Sequence, residues 1–115
     1  MKKIRLGLLG YGTVGQGVLA LLQKNQAEWK SKTGSDVSVS VIAKRNWDGI
    51  EKPANIDCIT DTASIVSRDD VDVVLELIGG TDIAFDLVMQ ALDNGKHVVT
   101  ANKALIAAKG NEIFQ

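Results

Sequence analysis

Ile4-Arg5-Leu6-Gly7-Leu8-Leu9-Gly10-Tyr11-Gly12-Thr13-Val14-Gly15 is a short apolar run that breaks on glycine and passes into the helical pattern Val14 to Leu22. A G-x-G-x-x-G string by itself says little. A strand before it and a helix after it turn it into a dinucleotide-binding fingerprint. The spacing has a chemical reason. Gly10 allows the tight turn out of the strand, and Gly12 lacks the Cβ that would block a pyrophosphate. Gly15 lets the helix lie close to the sheet. The unpaired N–H groups of the first helical turn then face the phosphates, and the helix dipole favours their charge.

Working outward, the chain reads as alternating strands and helices. Ile4–Leu9 is a buried strand, and Thr13 to about Lys32 is a helix with Val14, Val18, Leu21, Leu22 and Trp29 near one face. Gly34 follows its end. Val37–Ala43 alternates serine with valine and then turns wholly apolar, a second strand with one partly wet face. Residues 46–57 hold Asn46, Gly49, Pro53 and Asn55 and read as a loop. Cys58–Thr60 reads as a short third strand and Thr62–Ser67 as a short helix. Val71–Ile78 is a strongly apolar strand closed by Gly79-Gly80, with Glu76 its one acid after Asp72. Asp82 is a candidate N-cap for a helix over Ile83–Asn94, stopped by Gly95. Val98–Thr100 is a further strand, and Asn102 or Lys103 begins a helical turn.

This alternation predicts an α/β fold of the Rossmann type: a doubly wound, mainly parallel sheet with helices on both faces. Ligands of such sheets bind beyond the carboxyl ends of the strands, at the switch point. Those ends carry Gly10–Gly15, Ala43–Asn46, Glu76–Thr81 and Thr100–Lys103, which should meet at one cleft. At 115 residues the chain is one domain. Its end, Gly110 to Gln115, reads as the opening of a helix without a cap, so a cofactor-binding lobe cut from a longer enzyme is expected.

Composition narrows the classes. Hydrophobic content of 45% and charged content of 23% are ordinary for a globular protein. A net charge of −1 gives no basic footprint for nucleic acid or an anionic membrane. No apolar run approaches the roughly 20 residues of a membrane span, and the single cysteine fits a reducing cytoplasm, the location expected. Cys58 is the single cysteine, which excludes an internal disulfide and a multi-cysteine metal site. No metal site is expected.

The end of the second strand bears on cofactor choice. NAD-binding forms place an acid there for the ribose 2′-hydroxyl. Asp36 is at about the right distance from the motif but at the wrong end of the strand. The correct end reads Ala43-Lys44-Arg45-Asn46, two cations and no carboxylate, as a 2′-phosphate requires. NADP is therefore the expected cofactor, with NAD also possible.

Glu76-Leu77-Ile78-Gly79-Gly80-Thr81 and Gly95-Lys96-His97-Val98-Val99-Thr100-Ala101-Asn102-Lys103 are more specific than the glycine fingerprint. With Gly10–Gly15 they closely resemble the N-terminal domain of homoserine dehydrogenases, over nearly the whole chain. Those enzymes interconvert aspartate 4-semialdehyde and homoserine with NAD(P)H, on the route to threonine and methionine. The resemblance implies pyrophosphate contacts from Gly10, Gly12, Thr13, Val14 and Gly15, and 2′-phosphate contacts from Lys44 and Arg45. It implies that Gly79, Gly80 and Thr81 lie along the cofactor near its nicotinamide side. It assigns Lys103 to the catalytic cleft, touching both cofactor and substrate. It further implies substrate contacts supplied by a following domain and a homo-oligomeric full-length enzyme, so this lobe should bind cofactor without turnover.

Other residues read as structural. His97 sits at the start of a strand, away from the catalytic end, and Cys58 reads as a packing thiol. Glu76 is equally readable as a support of the cleft or as a plain structural acid. Trp29 and Trp47 read as packing or loop-capping residues. Two alternatives remain: the first lobe of another semialdehyde or amino-acid NADP oxidoreductase, and a non-catalytic nucleotide-sensing module.

Overall fold

A computed structural model describes residues 2–78 and 82–100, with the backbone alone for residues 82 and 83. Its elements are β1 (Lys2–Leu9), α1 (Thr13–Thr33), β2 (Ser35–Ala43), β3 (Asp57–Ile59), a short 3-10 helix (Thr62–Ser67), β4 (Val73–Glu76), α2 (Asp82–Asp93) and β5 (His97–Thr100). The five strands form one sheet in the order β3-β2-β1-β4-β5, every pair parallel. The order runs outward from β1 in both directions, so β1 and β4 flank the switch point.

Successive residues of a strand point to opposite faces, and the two halves of the core follow from that. Leu8 and Ile42 pack with Tyr11 and Leu19 beneath α1 and with Trp47, Ile50 and Ile56 of the β2–β3 connection. Leu9, Val41, Ala43 and Val74 pack on the other face with Ile65 and Val66 of the 3-10 helix and Leu87 and Ala91 of α2. Continuous apolar sequence at Leu8-Leu9 and Val41-Ile42-Ala43 is thus the mark of a strand covered on both sides.

Two details depart from the sequence pattern. The β1–β2 register shifts between Leu6 and Gly7, which pair with Val39 and Val41, so Ser40 is an extra residue on β2. The bulge sends Val39 and Ile42 to the α1 face and Val41 to the other, where strict alternation would have kept Val39 and Val41 together. In α1 the buried residues are Gly15 and Leu19, while Val14 and Leu21 are 59% and 57% exposed. At 100° per residue both lie well over a quarter-turn from Leu19, so the stripe read through Val14 and Leu21 is displaced. The helix ends at Gly34, which is left-handed at φ 72° and donates its N–H to the Lys30 carbonyl.

The end of the sheet opposite the glycine turn is fastened by charge. Asp72 accepts from the Arg5 backbone N–H at 2.8 Å and from its guanidinium at 3.1 Å through each carboxylate oxygen. The Arg5 side chain, and then its backbone N–H, hold the Asp72 carboxyl down to about 2. A carboxylate whose folded value is depressed contributes stability above its unfolded value, near 4, and loses it as pH falls toward 2. Both side chains are more than one-third exposed, so solvent screening keeps the contribution small. In acid titrations followed by thermal unfolding, Asp72→Asn should flatten the stability loss between about pH 4 and pH 2 relative to the unaltered chain.

Candidate functional site

Four strand ends are brought level by backbone hydrogen bonds just beyond the ladder. Gly10 N–H donates to the Ala43 carbonyl at 2.8 Å, and Leu77 N–H to the Leu9 carbonyl at 2.8 Å. Lys44 N–H donates to the Ile59 carbonyl at 3.0 Å. The glycine turn, the Lys44-Arg45 pair and the residues after β4 are therefore anchored along one edge of the sheet.

The three motif glycines meet different demands. Gly10 has φ +102°, and an added Cβ would lie 3.1 Å from the Leu77 carbonyl oxygen. That backbone state disfavours any side chain. At Gly15 a Cβ would lie 2.9 Å from the Gly10 carbonyl oxygen, so the helix can approach the turn only without one. Gly12 differs from both. Its φ of −87° is ordinary extended backbone, and a Cβ there would meet nothing within 4 Å. Neither conformation nor packing within the described residues calls for glycine at that position. Open space above a backbone that needs no glycine suits an incoming ligand that would collide with a side chain.

The helix behind it is prepared in the same sense. α1 starts on Gly12 with no side-chain cap and no acid in its first turn. The orphan N–H groups of that turn and the positive end of the dipole remain for an anion. Thr13 and Val14, named with the glycines as phosphate contacts, are both exposed at this start. The pyrophosphate of a dinucleotide fits this donor set and this cradle.

Lys44 is half-buried and Arg45 exposed just past the end of β2. Neither forms an ion pair among the described residues. Asp36 lies near the start of β2, paired in register with Lys3, and accepts from the Gln26 side chain at 3.1 Å. It is a packing partner of α1 at the far end of the strand, as its position in the sequence implied.

Glu76 is fully buried at the end of β4. One carboxylate oxygen accepts from Ile78 N–H at 2.7 Å and the other from the Thr100 hydroxyl at 2.5 Å. A buried carboxylate is costly without donors, and these two bind together the exits of β4 and β5. The acid thus supports the strand-end edge rather than facing solvent. Gly79, Gly80, Thr81 and Lys103, the other residues assigned to the site, lie outside the described residues.

Two aromatic residues belong to the site's framework. The Trp47 indole N–H donates to the Ile59 carbonyl at 2.9 Å. Its ring sits 5.6 Å from that of Tyr11, tilted by 36°. Tyr11 is the second residue of the glycine motif, and its part in this pair was not legible from the motif. A loop-capping Trp47 was, though its carbonyl partner stands 12 residues away on β3. A hollow of about 650 Å³ lies farther along α1, between Gln16, Leu19, Gln23 and residues 49–55, and touches the glycine turn only at Tyr11.

The remaining candidates are structural. Cys58 is half-buried in β3, its thiol directed at the Ile56 carbonyl, and burial pushes it above the usual thiol value. A raised value disfavours the nucleophilic thiolate. His97 begins β5, at the edge remote from the glycine turn. No cluster of three or more histidine, cysteine or acidic groups suited to a metal occurs among the described residues. No described helix is long and apolar enough to cross a membrane.

Against known proteins, residues 10–115 match the profile of a family described as homoserine dehydrogenase, NAD binding domain. Homoserine dehydrogenase of Neisseria gonorrhoeae is 45% identical over 99% of this chain, and that of Pseudomonas aeruginosa is 43% identical over 99%. The crystal structure of a homoserine dehydrogenase from Thiobacillus denitrificans superposes with a TM-score of 0.91 at 48% identity, over 99% of this chain. The chain spans 26% of the length of those two relatives and 27% of the solved one. A levoglucosan dehydrogenase solved with NADH shares the fold, with a TM-score of 0.68 at 20% identity.

Proposed function

Since this chain belongs to the family of the homoserine dehydrogenase NAD-binding domain, we propose that it serves as the cofactor lobe of an enzyme interconverting aspartate 4-semialdehyde and homoserine. The lobe binds a nicotinamide dinucleotide, with Gly10, Gly12, Thr13, Val14 and Gly15 around the pyrophosphate. The observation that carries the binding role is Gly12, whose backbone conformation needs no glycine and whose added Cβ would meet nothing within 4 Å among the described residues. When bound, the dinucleotide supplies the hydride chemistry. This chain's residues hold and orient it.

NADP is the preferred form in this reading, with NAD accepted more weakly. Lys44 and Arg45 stand where the 2′-phosphate would come, and no carboxylate competes for a 2′-hydroxyl at that strand end. Gly79, Gly80 and Thr81 line the nicotinamide side. Lys103 serves as the catalytic cation of the cleft, stabilising a developing alkoxide or holding the substrate carboxylate. The substrate contacts and the homo-oligomeric surface come from the larger part of such enzymes, in a cytoplasmic amino-acid pathway. The lobe alone binds cofactor and does not turn over.

Arg45→Ala tests the cofactor assignment. One charge-assisted hydrogen bond amounts to roughly 1.5–3 kcal/mol, or about tenfold to a hundredfold in affinity. Calorimetric titration should therefore show NADPH binding weakened by that factor and NADH binding nearly unchanged. Equal losses for both would remove the 2′-phosphate contact.

A further inference from the structure

We propose that Trp47 is a positioning residue for cofactor discrimination, holding the Lys44-Arg45 turn in register with the glycine turn. The inference rests on the reading that Lys44 and Arg45 take the 2′-phosphate.

The geometry centres on one carbonyl. Ile59, the last residue of β3, accepts from Lys44 N–H at 3.0 Å and from the Trp47 indole N–H at 2.9 Å. A carbonyl oxygen has two lone pairs, and these donors occupy both. They flank Arg45 and Asn46, so the turn carrying both cations is pinned at its two ends to the same atom. The interior is tightened locally. Asn46 Oδ1 accepts from Asp48 N–H at 2.8 Å, and the Trp47 carbonyl accepts from Ile50 N–H at 3.0 Å.

The same tryptophan reaches the other half of the site. Its ring packs on Tyr11 at 5.6 Å, within the range of favourable aromatic pairs. Ala43, immediately before the cationic pair, accepts from Gly10 N–H at 2.8 Å. The glycine turn and the cationic turn are thus joined twice, once through backbone and once through rings. A ligand contacting both turns requires their separation to be set before it arrives. Otherwise binding must also order a long arginine and a long lysine on a loose loop.

Trp47→Phe keeps an aromatic ring at the position that faces Tyr11 and deletes the N–H together with the remainder of the five-membered ring. Titrated with NADPH and NADH, it should bind NADPH about 3- to 10-fold more weakly, the range of one neutral hydrogen bond, with NADH changed less than about twofold. In a Lys44→Ala/Arg45→Ala background the same substitution should have no further effect on NADPH, because its influence passes through those side chains. The exposed Asn46→Ala, which leaves the core untouched, should give a smaller loss of the same selectivity. Equal weakening of both cofactors by Trp47→Phe, no weakening of either, or an undiminished effect without Lys44 and Arg45 would overturn the proposal. If Trp47→Phe does not fold, an Asn46→Ala variant without selective loss would overturn it. Were Lys44→Ala/Arg45→Ala itself to leave NADPH affinity intact, the 2′-phosphate reading would fall first, and this inference with it.

Discussion

Gly12→Val should abolish binding of NADPH and NADH alike while leaving the domain folded. Among the described residues a Cβ at this position meets nothing within 4 Å, and the extended backbone at φ −87° suits a β-branched residue. The folding cost is confined to a poorer N-cap, under about 1 kcal/mol. The binding cost is of another order. Three carbons would occupy the approach to the first-turn N–H groups, displacing the phosphates from several charge-assisted contacts at once. An affinity loss of at least about 100-fold is expected, since each such contact amounts to roughly 1.5–3 kcal/mol. Thermal unfolding and calorimetry on the same sample separate the two effects. Unchanged affinity would remove the phosphate-loop assignment.

Gly15→Ala should do the reverse, damaging the fold first. Its Cβ would stand 2.9 Å from the Gly10 carbonyl oxygen, a backbone atom that cannot swing away. Alanine gains up to about 1 kcal/mol in helix propensity over glycine. Against that, forcing α1 away from the turn costs about 1–3 kcal/mol, as other overpacked contacts do. With the full propensity gain subtracted, a net loss of up to about 2 kcal/mol remains and should lower Tm by about 5 °C for each kcal/mol. Cofactor affinity should fall as well, because α1 carries the first-turn donors. A variant as stable as the unaltered chain would show that close approach is not the reason for glycine here.

The contrast marks what the sequence made legible. The fold could be read because periodicity changes at Gly10, from a continuous apolar strand to a helical pattern, and again at Gly34 and Gly95. The roles of Gly10 and Gly15 follow from that context. Leu19 as the centre of the buried face of α1 does not, because Val14 and Leu21 are equally apolar and only the approach at Gly15 sets the helix's rotation. The bulge at Ser40 leaves no mark in a strand that already alternates serine with valine.

The site divides along the same line. The placement of Lys44 and Arg45 just past the end of β2 was legible because a strand's carboxyl end is a fixed address in this fold. Asp36 could be rejected on the same ground. Glu76 was ambiguous, since an acid in an apolar strand reads alike whether it faces solvent or two buried donors. Its partners, Ile78 N–H and the Thr100 hydroxyl, come together only when β4 and β5 pair. The sequence marks Trp47 as a packing or loop-capping residue, but its hold on the Ile59 carbonyl depends on β3 lying beside β2. Contacts across strands distant in sequence are settled by the sheet rather than by any local pattern.

We propose that this chain binds a phosphorylated nicotinamide dinucleotide at its glycine turn. Titrating the unaltered chain with NADPH and then NADH at one moderate salt concentration tests it most directly. NADPH bound tenfold or more tighter than NADH is the predicted result. NADH bound as tightly as NADPH would contradict the role of Lys44 and Arg45, and binding of neither would contradict the site itself.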